Sequence, residues 1–89
     1  MLFEWDPEKD RRNRAKHGIS FAEAASVFGD PLAETSDDPD HSVEELRFVT
    51  VGKSSRGRLL LVAHCDRADR IRLISARETT RRERQDHED

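Results

Sequence analysis

Arginine is the side chain best matched to a phosphate, because its guanidinium stays charged and offers paired donors to two oxygens at once. In the run RIRLISAR, Arg70 and Arg72 alternate with Ile71 and Leu73, so in a strand both arginines stand on one face. Arg77 is placed just past the end of that strand, beside the start of a last helix whose unpaired backbone N–H groups also favour anions. The same alternation fits arginines that merely solvate an exposed sheet face. His64, in RLLLVAHCD, shares a face with Leu60 and Val62. Its imidazole titrates near neutrality and suits proton transfer, although a histidine in an apolar strand also serves as a core residue.

The remaining cations read less specifically. Lys16 and His17 occupy the last turn of the first predicted helix, where the negative end of the helix dipole favours positive charge. Lys53, Arg56 and Arg58 sit in a basic hairpin and suit backbone binding more than chemistry, since loop cations give affinity without fixed geometry; a solvated turn explains them better still. Arg81, with Arg82 and Arg84, forms either a polyanion-binding helix face or ordinary surface charge. Trp5 and Phe48 fall in apolar strands, where core packing explains them better than base stacking. His41 has no partner at metal-ligand spacing, so no metal site and no cofactor is expected.

These residues need a scaffold, and its elements are punctuated clearly. Leu2 to Trp5 reads as a short strand ending at Asp6-Pro7, a helix start with Asp at the N-cap and Pro at the first helical position. The first helix is predicted from Glu8 to His17 and stops at Gly18. Its interior, EKDRRNRAK, offers almost nothing to bury beyond Ala15 and side-chain stems, so caps and pairs such as Glu8 with Arg12 must support it. Ser20 and Glu23 form a capping-box pattern that opens a second helix to about Phe28. There Phe21, Ala24, Ala25 and Phe28 make one apolar stripe that should lie on a sheet. Leu32 to Thr35 reads as a short edge strand and Ser36 to Glu45 as an acidic loop. LRFVTVGK, RLLLVAHCD and RIRLISA then form a meander of antiparallel hairpins. A charged helix follows from Glu78 to about His87, with Thr80 and Glu83 offering a second capping box, and the tail after about residue 84 is expected to fray.

Eighty-nine residues are enough for a single domain burying about 60% of its unfolded surface. Charged residues make up 39% of the chain and apolar residues 34%, so a thin core carries a heavily charged surface. The net charge of −3 hides a strong segregation. Ser20 to Glu45 holds eight acids and no Lys or Arg, whereas Leu46 to Arg84 holds eleven basic residues against four acids. A basic polyanion-binding face beside an acidic surface is compatible with that asymmetry. Cys65 is the only cysteine, which excludes an intrachain disulfide and points to the cytoplasm. No apolar run approaches the roughly 18 residues of a membrane span, and no secretory signal pattern opens the chain.

FEWDP, NRAKHGISF, VFGDPL, GKSSRGR and RIRLISAR, in that order and with uninterrupted spacing from Phe3 to about Arg84, resemble the BrnT family of toxins. The resemblance implies an α+β fold: a compact RelE-like domain with an antiparallel sheet, two N-terminal helices packed on it and a C-terminal helix. It also implies a metal-independent endoribonuclease that inhibits translation, and a BrnA-type antitoxin carrying a ribbon-helix-helix DNA-binding domain. The expected assembly is a 2:2 complex that meets operator DNA only through the antitoxin.

Such RNA cleavage needs a 2′-hydroxyl deprotonated onto the adjacent phosphate, a protonated leaving oxygen and a cation at the crowded phosphoryl group. Arg72 and Arg77 are the first candidates for that cation. His64, and His17 and Lys16 of the matching KHG motif, are candidates for proton transfer or phosphate ligation. Arg70, Lys53, Arg56, Arg58 and Arg81 are candidates for holding RNA. The same residues also fit a non-catalytic nucleic-acid- or ribosome-binding module, and the acid-rich segment fits a protein-binding co-repressor subunit.

Overall fold

The computed structural model describes residues 1–38, 40 and 45–88. Its elements run β1 (Leu2–Glu4), α1 (Pro7–His17), α2 (Phe21–Ser26), a 3-10 turn (Val27–Gly29), β2 (Glu34–Asp37), β3 (Arg47–Lys53), β4 (Leu59–Arg67), β5 (Arg70–Glu78) and α3 (Arg81–Glu88). The five strands form one sheet in the order β1-β5-β4-β3-β2. The predicted meander is present as β3, β4 and β5, and β2 extends it antiparallel. The expectation of a wholly antiparallel sheet is corrected at one edge: β1 pairs parallel with β5. The long crossover that a parallel pair requires is supplied by everything between the two strands, α1 and α2 included.

The edge strand β2 lies two residues later than predicted and takes Ser36 and Asp37 from the expected loop. Thr35 faces Thr50 there, with the two hydroxyl oxygens 2.7 Å apart. Most of the rest of that loop, His41 included, lies outside the described residues.

One face of the sheet is covered by the N-terminal helices. Ile19, Phe21, Ala24 and Val27 pack against Leu60, Val62, Leu73 and Ala76, all essentially inaccessible. Trp5 meets Phe21 edge-on at 6.2 Å and Phe3 tilts against Phe28 at 5.2 Å, so the aromatics of FEWDP belong to the core. The apolar stripe of α2 is shifted from the predicted one, because the chain tightens to a 3-10 turn and brings Val27 inward while Ala25 and Phe28 are only half-buried.

The first helix is anchored by a polar residue. Ala15, the expected apolar contact, is exposed, and Asn13 is the buried residue of α1. Its amide donates to the carbonyls of Ile19 (2.9 Å) and Ala76 (2.8 Å), and its Oδ1 accepts from Ala76 N–H (3.1 Å). A helix with no apolar stripe thus docks onto β5 through two hydrogen bonds to Ala76, with a third to Ile19 fixing the chain beyond its own C-terminus, each worth about 1 kcal/mol net and more if a buried partner is orphaned. Asp6 caps Glu8 N–H at 2.9 Å, Gly18 takes the left-handed conformation at φ 71°, and Glu8 reaches Arg11 and Arg12.

β5 carries an irregularity that decides where its arginines point. Ala63 faces Ser75 but His64 faces Leu73, leaving Ile74 as an extra residue. Strict alternation would place Leu73 and Ala76 on opposite faces; the bulge turns both into the core. The same shift places Arg77 on the face of Arg70 and Arg72. Arg77 also lies within β5 rather than beyond its end, because Leu60 and Leu61 of β4 continue the ladder to Glu78.

Candidate active site

The second face of the sheet carries neither α1 nor α2, and its chemistry follows from the cross-strand register. Glu4, Arg72, Cys65 and Arg47 form a row across β1, β5, β4 and β3, and Leu2, Arg70 and Arg67 form the next row toward the β4–β5 turn. Adjacent members of a row sit about 4.8 Å apart. Val49, Ala63, Ser75 and, further along, Val51, Leu61 and Arg77 continue this face toward the β3–β4 hairpin.

At the β1 end, Arg72 Nη1 donates to Glu4 Oε2 at 2.6 Å, and the two side chains are 28% and 29% exposed. Arg70 is exposed and forms no ion pair among the described residues. Arg67 pairs with Glu45 at 3.4 Å, and Glu45 also accepts from the Cys65 thiol at 3.5 Å. Burial, followed by the neighbouring Glu45 carboxylate, pushes the Cys65 thiol up, while Arg67 holds Glu45 below the usual carboxylate range.

The hairpin end is built differently. Arg77 gives two hydrogen bonds to Glu83, at 2.8 and 2.9 Å, and a third to the Glu78 carbonyl at 3.2 Å. Glu83 closes the capping box that the sequence predicts: it accepts from Thr80 N–H at 2.8 Å while its own N–H donates to Thr80 Oγ1 at 3.2 Å. Arg77 first, with Thr80, holds the Glu83 carboxyl down at about 2 against burial. His87 Nδ1 lies 3.3 Å from Glu34 of β2, so α3 is tied over this end of the face.

Arg58 is similarly committed. Its guanidinium binds both carboxylate oxygens of Glu23 and the Gly18 carbonyl at 3.2 Å, and Ser54 Oγ donates to Glu23 at 2.7 Å. Ser20 does cap Glu23 N–H at 3.1 Å, but the carboxylate expected to return to Ser20 instead spans to the hairpin. Arg58 lowers the Glu23 carboxyl. Lys53, Arg56 and Arg81 are exposed around the same end, and Lys16 (exposed) and His17 (half-buried) close α1 beside Gly18.

His64 lies on the opposite, helix-covered face at 4% exposure. Its ring stacks on Phe48 and meets Phe28 edge-on, its Nε2 lies 2.8 Å from Thr50 Oγ1, and its Nδ1 has no partner among the described residues. Burial pulls its pKa below 6.5, so it is held neutral. Phe48, half-buried, packs on this ring.

The structure therefore divides the sequence-predicted residues. Arg70, Arg72 and Arg77 share the face away from α1 and α2, with α3 tied over its Arg77 end; Lys53, Arg56, Arg58 and Arg81 gather at the hairpin end; Lys16 and His17 belong to the helix layer and His64 to the core. Glu4 was missed, and the signal lay in its neighbours: apolar Phe3 and Trp5 flank it, so alternation turns it away from the core. Its partner strand, 68 residues away, is not legible from local pattern. Among the described residues no group of three or more His, Cys, Asp or Glu is arranged to hold a metal ion, and no helix is long and apolar enough to cross a membrane.

Comparison with known proteins gives this face a context. The crystal structure of the Brucella abortus ribonuclease toxin BrnT, 20% identical, aligns with TM-score 0.70 over 91% of this chain and 100% of that one, a likeness of fold. No curated protein sequence matches. The family model described as the ribonuclease toxin BrnT of a type II toxin-antitoxin system matches residues 5–83. With the match running from Trp5 through the capping box of α3, the chain belongs to the BrnT family of ribonuclease toxins of type II toxin–antitoxin systems.

Proposed function

We propose that this toxin cuts RNA on its open sheet face without a metal ion, leaving 2′,3′-cyclic phosphate and 5′-hydroxyl ends, and thereby stops translation in the cytoplasm. The observation that carries this reading is the alignment of Arg70, Arg72 and Arg77 on one face that α1 and α2 leave uncovered. A guanidinium aimed at a crowded phosphoryl group supplies the charge stabilisation that the reaction needs. Arg72 and Arg77 face Cys65 and Leu61, four residues apart on β4, and so stand about 13 Å apart at about 3.3 Å per residue, serving different phosphates of one strand or different roles. Arg70, Lys53, Arg56 and Arg81 add exposed charge for the RNA backbone, while Arg58 supports the hairpin through Glu23. Lys16 and His17 are the candidates outside the sheet for phosphate ligation or proton donation.

Type II toxins are neutralised by a protein antitoxin. A BrnA-type partner with a ribbon-helix-helix domain is the reading here, in a 2:2 complex that reaches operator DNA only through the antitoxin. Acidic residues of that partner opposing Arg70 and Arg72 would both block the face and set the register of docking.

The test is incubation of the purified, antitoxin-free chain with end-labelled RNA in EDTA, beside Arg72→Ala and Arg77→Ala. Cyclic phosphate ends that disappear in a folded arginine variant are the expected result. RNA that stays intact with and without ribosomes, yet remains bound, replaces the nuclease by a binding module.

A further inference from the structure

The geometry points to Glu4 as the general base of the cleavage, acting with Arg72 at the β1 end of the open face; this rests on the ribonuclease reading above. Glu4 belongs to the FEWDP motif and stands one residue before the stretch that the family model matches, and neither assigns it a role.

Cleavage by 2′-hydroxyl attack requires a proton acceptor within hydrogen-bond reach of the sugar and a cation at the same phosphate. Those two groups must therefore be neighbours on one accessible surface. The described imidazoles fail that condition beside Arg72. His64 is buried on the far side of the sheet, His17 closes α1 in the helix layer, and His87 is at the hairpin end against Glu34.

The carboxylates on the open face separate in the same way. Glu83 has both oxygens on Arg77 and one of them also on Thr80 N–H, so it is consumed in holding α3. Glu45 is engaged by Arg67 and by the Cys65 thiol. Glu4 accepts one described hydrogen bond, from Arg72 to Oε2, which leaves Oε1 for a substrate hydroxyl. Its side chain and that of Arg72 are each more than a quarter exposed, and Arg70, unpaired among the described residues, stands in the adjacent row.

In the proposed step Arg72 turns from Glu4 to the scissile phosphate while Arg70 holds the strand. Glu4 Oε1 takes the 2′-hydroxyl proton as the 2′-oxygen forms its bond to phosphorus. The P–O5′ bond breaks, its electron pair leaves on the 5′-oxygen, and that oxygen takes a proton from water. Glu4 returns its proton to the hydroxide so formed, leaving a 2′,3′-cyclic phosphate and a 5′-hydroxyl with no change in oxidation state.

The decisive experiment is single-turnover cleavage of an end-labelled RNA across a pH series by wild type, Glu4→Gln and Glu4→Asp, with binding measured on a 2′-deoxy strand of the same sequence and folding checked by thermal melts. Glu4→Gln is expected to slow cleavage by about 100-fold or more, the usual range for a lost general base. It should lose the acidic limb of the rate profile and bind the 2′-deoxy strand at least as tightly as wild type. Glu4→Asp, which keeps the carboxylate, should recover much of the rate. Two results overturn the assignment while sparing the nuclease: Glu4→Gln cleaving within about threefold of wild type, or a slowed Glu4→Gln that keeps the wild-type acidic limb, which makes Glu4 a positioning partner of Arg72. A wild-type chain that cuts no RNA sinks both readings together.

Discussion

Two arginines of β5, five residues apart and on the same face, meet carboxylates in opposite ways. Arg77 is bound through both oxygens of Glu83, which is itself fastened to the first turn of α3 and held down at about 2. Arg72 shares one hydrogen bond with Glu4, a residue of an edge strand three residues long. The first pair is local in sequence and multiply braced, so removing it should undo structure; the second is a single contact between distant segments in reach of solvent, so it can exchange for a substrate phosphate. On the proposed reading, equal residue types on an equal face divide between architecture and chemistry by how many other bonds each carboxylate makes.

The largest test of this contrast is Arg72→Ala against Arg77→Ala. Loss of a donor to the transition-state charge costs about 100-fold or more in rate, so Arg72→Ala should abolish most cleavage with little change in melting temperature. Arg77→Ala should lower the melting temperature and leave a larger fraction of the activity. Equal kinetic losses in two equally stable variants would break the distinction.

A smaller effect is expected at Glu83. Glu83→Gln weakens a capping box and a part-exposed ion pair, a loss of about 1 kcal/mol in unfolding free energy. Because Glu83 lies below its ordinary 4.5 in the folded chain, its stabilisation is complete above 4.5 and is lost as pH falls toward about 2. The gap between wild type and Glu83→Gln in urea titrations should therefore close across that window, and a gap independent of pH would refute the ion pair.

His64 provides the control on the opposite face. Burial holds it below 6.5 in the folded chain, so the unfolded chain takes up the proton first as pH falls. Its contribution is full above 6.5 and declines below it. His64→Leu should flatten that part of the stability profile, seen in melts from pH 7 downward, and a folded variant should keep cleavage within a few-fold. A hundredfold loss of cleavage in a stable His64→Leu would return the imidazole to the chemistry. The smallest expected change is at Arg70, where Arg70→Ala should weaken RNA binding and lower the slope of log affinity against log salt by about 0.7.

Much of this molecule is readable from local pattern. Asp6-Pro7 and Gly18 bound a helix, Thr80 and Glu83 cap another, and three runs of alternating apolar residues become β3, β4 and β5 in their predicted order. These succeed because caps and alternation are short-range: backbone donors are satisfied, or a face is buried, by residues a few positions apart. The failures are of the opposite kind. Asn13 lies in a run that reads as solvent-facing because its partners, Ile19 and Ala76, are brought to it only by docking. Glu23 fits a capping box by spacing, yet Arg58, a stronger partner from 35 residues away, takes its carboxylate.

The residue types for the chemistry, their alternation on β5 and the family are thus determined by the sequence itself. Which face Arg77 joins was decided by a single bulge at Ile74, a defect that exists only once β4 is paired alongside. That Glu4 stands beside Arg72 was decided by a parallel pairing across almost the whole chain. Alternation sets which side of its own strand a residue takes; only tertiary packing, by burying one face of the assembled sheet, selects the neighbouring strand and with it the partner of each charge.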